Sequence, residues 1–171
     1  MGYDAGMPVS DHFAFPLLRI FGRLEAKLKH RPRFIRQGKR DAMVDWWAVN
    51  AVVSALPPAA FVERLDDDTR DKILAGERDR PKVQVVVEVD GLRRARFRER
   101  PLDLPDQDPS DAIALVEAAR RVRNNLFHGG KEEPGDQPFD GDDDQWGRAA
   151  LDVAQVLLDL VERGTFGPPE P

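Results

Sequence analysis

Residues 110–131, SDAIALVEAARRVRNNLFHGGK, constrain this chain more than any other stretch. At about 100° per residue, Ala112, Leu115, Val116, Ala119, Val122, Leu126 and Phe127 fall on one stripe of an amphipathic helix. Ser110 is a suitable N-cap, and Gly129-Gly130 supplies the stop. Arg123 lies inside the stripe, between the directions of Ala119 and Phe127. Asn124 and His128 are i,i+4 neighbours on an adjacent face, with Glu117 about two and three turns back between their directions. A guanidinium in an apolar stripe is costly unless something anionic meets it. The apolar side of such a helix needs other helices to cover it, and the rest of the chain supplies them.

Residues 1–9 read as a loose arm broken by Gly2, Gly6 and Pro8. Ser10 or Asp11 can cap a helix running to about His30, with Phe13, Leu17, Ile20, Phe21, Leu24 and Leu28 at helical spacing and Pro16 early in it. Residues 31–40, RPRFIRQGKR, read as a basic loop or short turn. A second helix is expected from Asp41 to Leu56, stopped by Pro57-Pro58. Its Trp46 and Trp47 cannot face one direction, so one belongs to the core and the other to a half-buried site or a second interface. Short helices are expected at 59–65 and 69–75.

Residues 82–100 break the helical period. Val83, Val85, Val87 and Val89 alternate, Asp90-Gly91 is a turn, and 92–99 can return as a second strand. A lone hairpin is marginal in water, so this one should lie against the helices or a partner chain. Its Arg93, Arg94, Arg96 and Arg98 suit substrate or partner contact, or equally a strand face guarded against edge pairing. A last helix is expected from Gln145 or Trp146 to about Arg163, closed by Gly164, with 164–171 as a tail. The expectation is one mainly α domain over residues 1–171, an antiparallel helical bundle with a small β-hairpin insertion at 83–99.

The chain has no cysteine, which excludes disulfides and thiolate zinc sites and fits a reducing compartment. No apolar run approaches the roughly 20 residues that span a bilayer, and MGYDAGMPVSDHF lacks the regions of a signal peptide. A cytoplasmic location with no membrane contact is expected. The net charge of −5 argues against indiscriminate coating of nucleic acid. Charge is nevertheless uneven: residues 19–40 and 93–100 are basic, whereas 66–68, 103–111 and 132–144 are acidic.

Most familiar chemistries find no parts here. Asp140, Asp142 and Asp144 have calcium-loop spacing, but Gln145 and Leu151 stand where that loop needs Gly and a bidentate Glu. A solvated acidic loop that favours the following helix N-terminus is the better reading. The three serines, Ser10, Ser54 and Ser110, occupy no nucleophile elbow, and no Walker or dinucleotide loop occurs. No two of His12, His30 and His128 have metal-pair spacing. No metal and no cofactor is expected. His128 on its own suits a helix C-terminus. Beside Arg123 and Asn124 it also suits metal-free RNA cleavage, in which imidazole moves a proton, guanidinium neutralises a phosphorane, and an amide holds either in place.

RVRNNLFHGGK resembles the signature of the HEPN superfamily, an Arg followed after four to six residues by His, with a polar residue commonly after the Arg. Arg123-Asn124-Asn125-Leu126-Phe127-His128 matches with four intervening residues. Arg121 matches with six but is followed by Val122, so Arg123 fits better. The detailed likeness covers about 20 residues, and the hairpin departs from it. The resemblance implies a metal-independent endoribonuclease of a toxin–antitoxin, CRISPR or phage-defence system. It implies His128 as catalytic, Arg123 as the phosphate-stabilising group and Asn124 as their support, with Arg120 and Lys131 as further substrate contacts. It also implies an RNA substrate, a homodimer whose two motifs line one cleft, and an antitoxin such as a minimal nucleotidyltransferase. A two-fold cleft suits the geometry, because Arg123 and His128 stand about 140° apart on an ideal helix. A non-catalytic HEPN-type module that binds a nucleotide, RNA or protein remains open. So does a plain bundle in which Arg123 pairs with Glu117 or an acid of the 132–144 loop.

Overall fold

The computed structural model describes residues 11–75, 81–98, 100–105, 110–127 and 142–170. In chain order these form α1 (Asp11–Lys29), β1 (Ile35–Gln37), β2 (Ala42–Val44), α2 (Trp46–Ala55), α3 (Asp67–Leu74), β3 (Val83–Val89), β4 (Leu92–Arg98), α4 (Asp111–Phe127) and α5 (Asp142–Glu162). The fold is mainly helical with two small antiparallel sheets. α5 lies at the centre and packs on α1, α3 and α4, and α2 packs on α4. Trp146, Ala149, Ala150, Val153, Leu157 and Leu160 of α5 are buried, as their spacing required. No described helix is long and apolar enough to cross a membrane.

α4 is buried on more than its predicted stripe. Ile113, Ala114 and Ala118 join Ala112, Leu115, Val116, Ala119, Val122 and Leu126 in the interior. Ser110 caps it as expected, its Oγ accepting from the Ile113 N–H at 3.2 Å. Gly164 closes α5 at φ +87°, the left-handed conformation favoured by glycine. The hairpin pairs Val83 with Arg98 through to Val89 with Leu92 around the Asp90-Gly91 turn. Val83, Val85, Val87 and Val89 are half-buried while Val86 is exposed. Arg121 and Asn125 of α4 hold its root, so it lies against a helix of its own chain.

Several boundaries differ from expectation. Residues 31–40 are not simply a loop, and helix α2 does not begin at Asp41. A 3-10 turn at Pro32–Phe34 leads into β1, which pairs with β2 so that Ile35 faces Val44, Arg36 faces Met43 and Gln37 faces Ala42. Gly38 makes this turn possible: its N–H donates to the Asp41 carbonyl at 2.9 Å, and a Cβ there would sit 2.7 Å from the same oxygen. The cap of α2 is Asp45, whose Oδ1 accepts from the N–H groups of Trp47 and Ala48, and the helix ends at Ala55. Residues 59–65 form two 3-10 turns, Pro58–Ala60 and Val62–Arg64, in place of one short helix. α3 and α5 both start earlier than expected, with acidic residues in their first turns.

The C-terminal segment is docked where a tail was expected. Phe166 is buried and meets the Phe34 ring edge-on at 5.4 Å. Arg31 joins the ends of α1 and α5: it donates to the carbonyls of Lys27 at 2.5 Å, Gly167 at 2.8 Å and Val161 at 3.3 Å. Those carbonyls include helix-end acceptors that would otherwise lack partners, and they offset the burial of the guanidinium. The 1–9 arm and residues 128–141 lie outside the described residues.

Candidate functional site

The C-terminal half of α4 carries the candidate residues, and the fold sorts them onto different sides. Arg123 keeps its place in the apolar stripe by packing its guanidinium 5.8 Å from the Phe21 ring centroid of α1. Its Nη2 then meets Glu25 Oε1 at 2.5 Å, and its Nη1 donates to Asn124 Oδ1 at 2.8 Å. The anion that the stripe demanded therefore comes from α1, one turn beyond Phe21. Glu117, one partner considered from sequence, instead accepts from Arg120 and Asn50, and residues 132–141 of the acidic loop, the other, lie outside the described residues. Both members of the pair are about four-fifths buried as side chains, so their attraction is screened less than that of a surface pair.

Glu117 serves a neighbouring arginine. Its Oε1 accepts from Arg120 Nη1 at 2.6 Å and from Asn50 Nδ2 of α2 at 2.9 Å. Arg120 also lies 4.8 Å over the Trp46 ring. Trp46 in turn stands 6.2 Å from Phe21. Phe21 and Trp46 thus form an aromatic floor beneath two guanidiniums, each of which faces a carboxylate. Burial lowers the Arg120 pKa from its ordinary value; Glu117 opposes that shift, and the charges of Arg123 and Arg36 add to it.

Arg121, the alternative start of the motif, is turned elsewhere. It donates to the carbonyls of Arg100 at 2.5 Å, Pro101 at 2.8 Å and Pro81 at 3.3 Å. Asn125, one turn on, donates to the Lys82 carbonyl at 2.6 Å. These two clamp both ends of the β3–β4 hairpin to α4.

Of the residues singled out in the sequence, Arg120, Arg123 and Asn124 therefore share one region. His128 and Lys131 lie outside the described residues, as do Gly129-Gly130, and the Phe127 side chain is likewise not described. Glu25, Asn50 and Trp46 join the site without having been assigned to it. Glu25 carried a readable signal, since it borders the α1 stripe four residues after Phe21. Asn50 carried a weaker one, a polar side chain in an otherwise apolar helix.

Among the described residues no group of His, Asp and Glu could hold a metal ion. A cleft between α3 and α5, lined by Asp68, Asp71, Lys72 and Arg148, has its charges largely matched, with Arg148 3.8 Å from Asp68 and Lys72 over the Trp146 ring.

Compared with protein-family models, curated proteins and solved structures, the chain matches none.

Proposed function

We propose that this protein is a metal-independent endoribonuclease of HEPN type, acting as a toxin or phage-defence effector. In this reading a 2′-OH attacks the adjacent phosphorus and the 5′ oxygen leaves, giving 2′,3′-cyclic phosphate and 5′-OH ends. His128 moves the proton, Arg123 neutralises the phosphorane, and Asn124 orients the guanidinium. Lys131 and Arg120 add positive charge for the RNA backbone. The helical core is then a HEPN-like bundle, and two copies pair so that both motifs line one cleft. A cognate antitoxin, such as a minimal nucleotidyltransferase, would cover that cleft.

One observation carries the reading: Arg123 is held in a fixed, largely buried position by Glu25, Asn124 and Phe21, five residues before His128. Fixed guanidiniums are what charge stabilisation in a transition state requires, because they need no reorganisation during the reaction. The deciding experiment is RNA cleavage in EDTA with end-group analysis. Cyclic-phosphate products that vanish with folded His128→Ala support the mechanism. Wild-type cleavage rates in that variant remove it.

A second reading has an observation of its own. Glu25 and Glu117 already neutralise Arg123 and Arg120, as suits a non-catalytic module that binds a nucleotide, RNA or partner protein. Glu25→Gln separates the two. A binding module gains affinity for anions when that carboxylate is removed, whereas an enzyme that needs Arg123 held in place loses turnover.

A further inference from the structure

The β1–β2 ribbon and the 3-10 turn before it carry a cluster of cations that meet no carboxylate. Arg33, Arg36, Lys39 and Arg40 are all exposed, and among the described residues none of them forms an ion pair. Many other surface arginines are paired, Arg23 with Glu162, Arg64 and Arg163 with Asp159, Arg70 with Asp67, and Arg100 with Asp103, although exposed Arg19 of α1 and Arg93 and Arg98 of β4 also form no ion pair among the described residues. On a chain of net charge −5, four cations left without carboxylates on one short ribbon form a local positive surface.

The same ribbon leads directly to an open aromatic. Trp47 is 70% exposed, whereas its neighbour Trp46 is 9% exposed beneath Arg120. Trp47 follows Met43 by four residues, so it lies within about 14 Å of the ribbon. Asp45 fixes the intervening corner by capping α2 and by donating its N–H to the Phe34 carbonyl at 2.8 Å. An exposed indole beside unpaired cations is the combination that holds unpaired bases by stacking and their phosphates by charge.

We propose that the β1–β2 ribbon and Trp47 form a binding surface for single-stranded RNA that leads to Arg120 and Arg123. This extends the RNA reading above from the reacting groups to the strand that reaches them. Continuity with the site comes through the chain, since Trp47 adjoins Trp46, whose ring lies 4.8 Å from the Arg120 guanidinium. A second copy of this chain is the competing occupant. A two-fold contact through the ribbon would set these cations against their own equivalents, which disfavours it. Sequence-independent binding follows, because stacking and charge read no base edge.

The test is equilibrium binding of a labelled 2′-O-methyl single strand of about 12 nucleotides, a length within the range such surfaces cover and one that blocks cleavage. Trp47→Ala is expected to weaken binding about tenfold, with Trp47→Phe restoring most of it. Arg36→Gln with Arg40→Gln is expected to lower the salt slope by about 1.4, two single-strand phosphate contacts. Four results overturn the proposal: wild-type protein that does not bind the strand, ribbon variants that bind as wild type, equal losses from Arg93→Gln with Arg98→Gln on β4, or Trp47→Ala converting a dimer to a monomer. His128→Ala keeps the two claims apart. If that variant cleaves normally the ribonuclease mechanism falls, while strand binding through the ribbon still stands or fails on its own variants.

Discussion

Arg121 and Arg123 stand two residues apart on α4, and each has a spacing to His128 that fits the Arg–His motif. Arg121 points to the hairpin root and donates to three main-chain carbonyls. Arg123 points to α1 and meets a carboxylate, a side-chain amide and an aromatic face. A phosphate could replace Arg121's partners only by stripping the acceptors that fix residues 81, 100 and 101. Beside Arg123 the ligands are side chains on rigid helices, and the guanidinium is partly open. Spacing admits both arginines to the motif; only their contacts tell a clamp from a candidate reactive group.

The largest effect that sharpens this contrast is on cleavage. Arg123→Ala should lower the single-turnover rate about 10²–10³-fold, the usual loss when one preorganised transition-state donor is removed. Arg121→Ala should leave that rate within about threefold, well under 1 kcal/mol of barrier. Comparable losses from the two variants, both checked for native circular dichroism, would abolish the distinction. The removal of Arg123 also leaves Glu25 largely buried without its charge partner. The double variant Arg123→Ala with Glu25→Gln should therefore recover stability but not cleavage.

Long periodic stretches were legible from the sequence alone. α1, α4 and α5 each repeat apolar residues over four or more turns, and β3–β4 alternates around Asp-Gly, so local pattern and final burial agree. The β1–β2 ribbon was not legible, because three-residue strands offer no period to read. Asp41 also resembled a cap as well as Asp45 does. Asp45 won because its side chain reaches two N–H groups of α2, while Asp41 lies in the turn that Gly38 closes. At the site, Arg123 announced itself by sitting in an apolar stripe. Its partner did not, since Glu25 lies 98 residues away and only the packing of α1 on α4 brings them together. Glu117 was nearer in sequence but faces Asn50 and Arg120.

The next effect is on the hairpin. Arg121→Ala removes three carbonyl contacts at its root, two of them solvent-exposed. A local loss of about 1–2 kcal/mol is expected, seen as roughly five- to thirtyfold faster amide exchange across Val83–Val89. Exchange in the buried middle of α5 should hardly change. If both regions accelerate together, Arg121 supports the whole core, and the clamp is not confined to the hairpin.

Asn125→Ala should have the smallest effect. It deletes one hydrogen bond, from Nδ2 to the Lys82 carbonyl, at an exposed position, so about 0.5–1 kcal/mol of local hairpin stability is expected. Its value lies in the combination with Arg121→Ala. The two side chains stand one turn apart on α4 and meet adjacent carbonyls before β3, Arg121 that of Pro81 and Asn125 that of Lys82, while Arg121 alone also holds the segment after β4. Residues bound to one small, rigid unit couple, so the double variant should lose less than the sum of the singles, because the hairpin already released by the first leaves less for the second to hold. Strict additivity in hydrogen exchange would mean that β3 and the segment after β4 are fastened separately. The face of α4 opposite Arg123 would then hold two independent contacts where a single clamp is inferred.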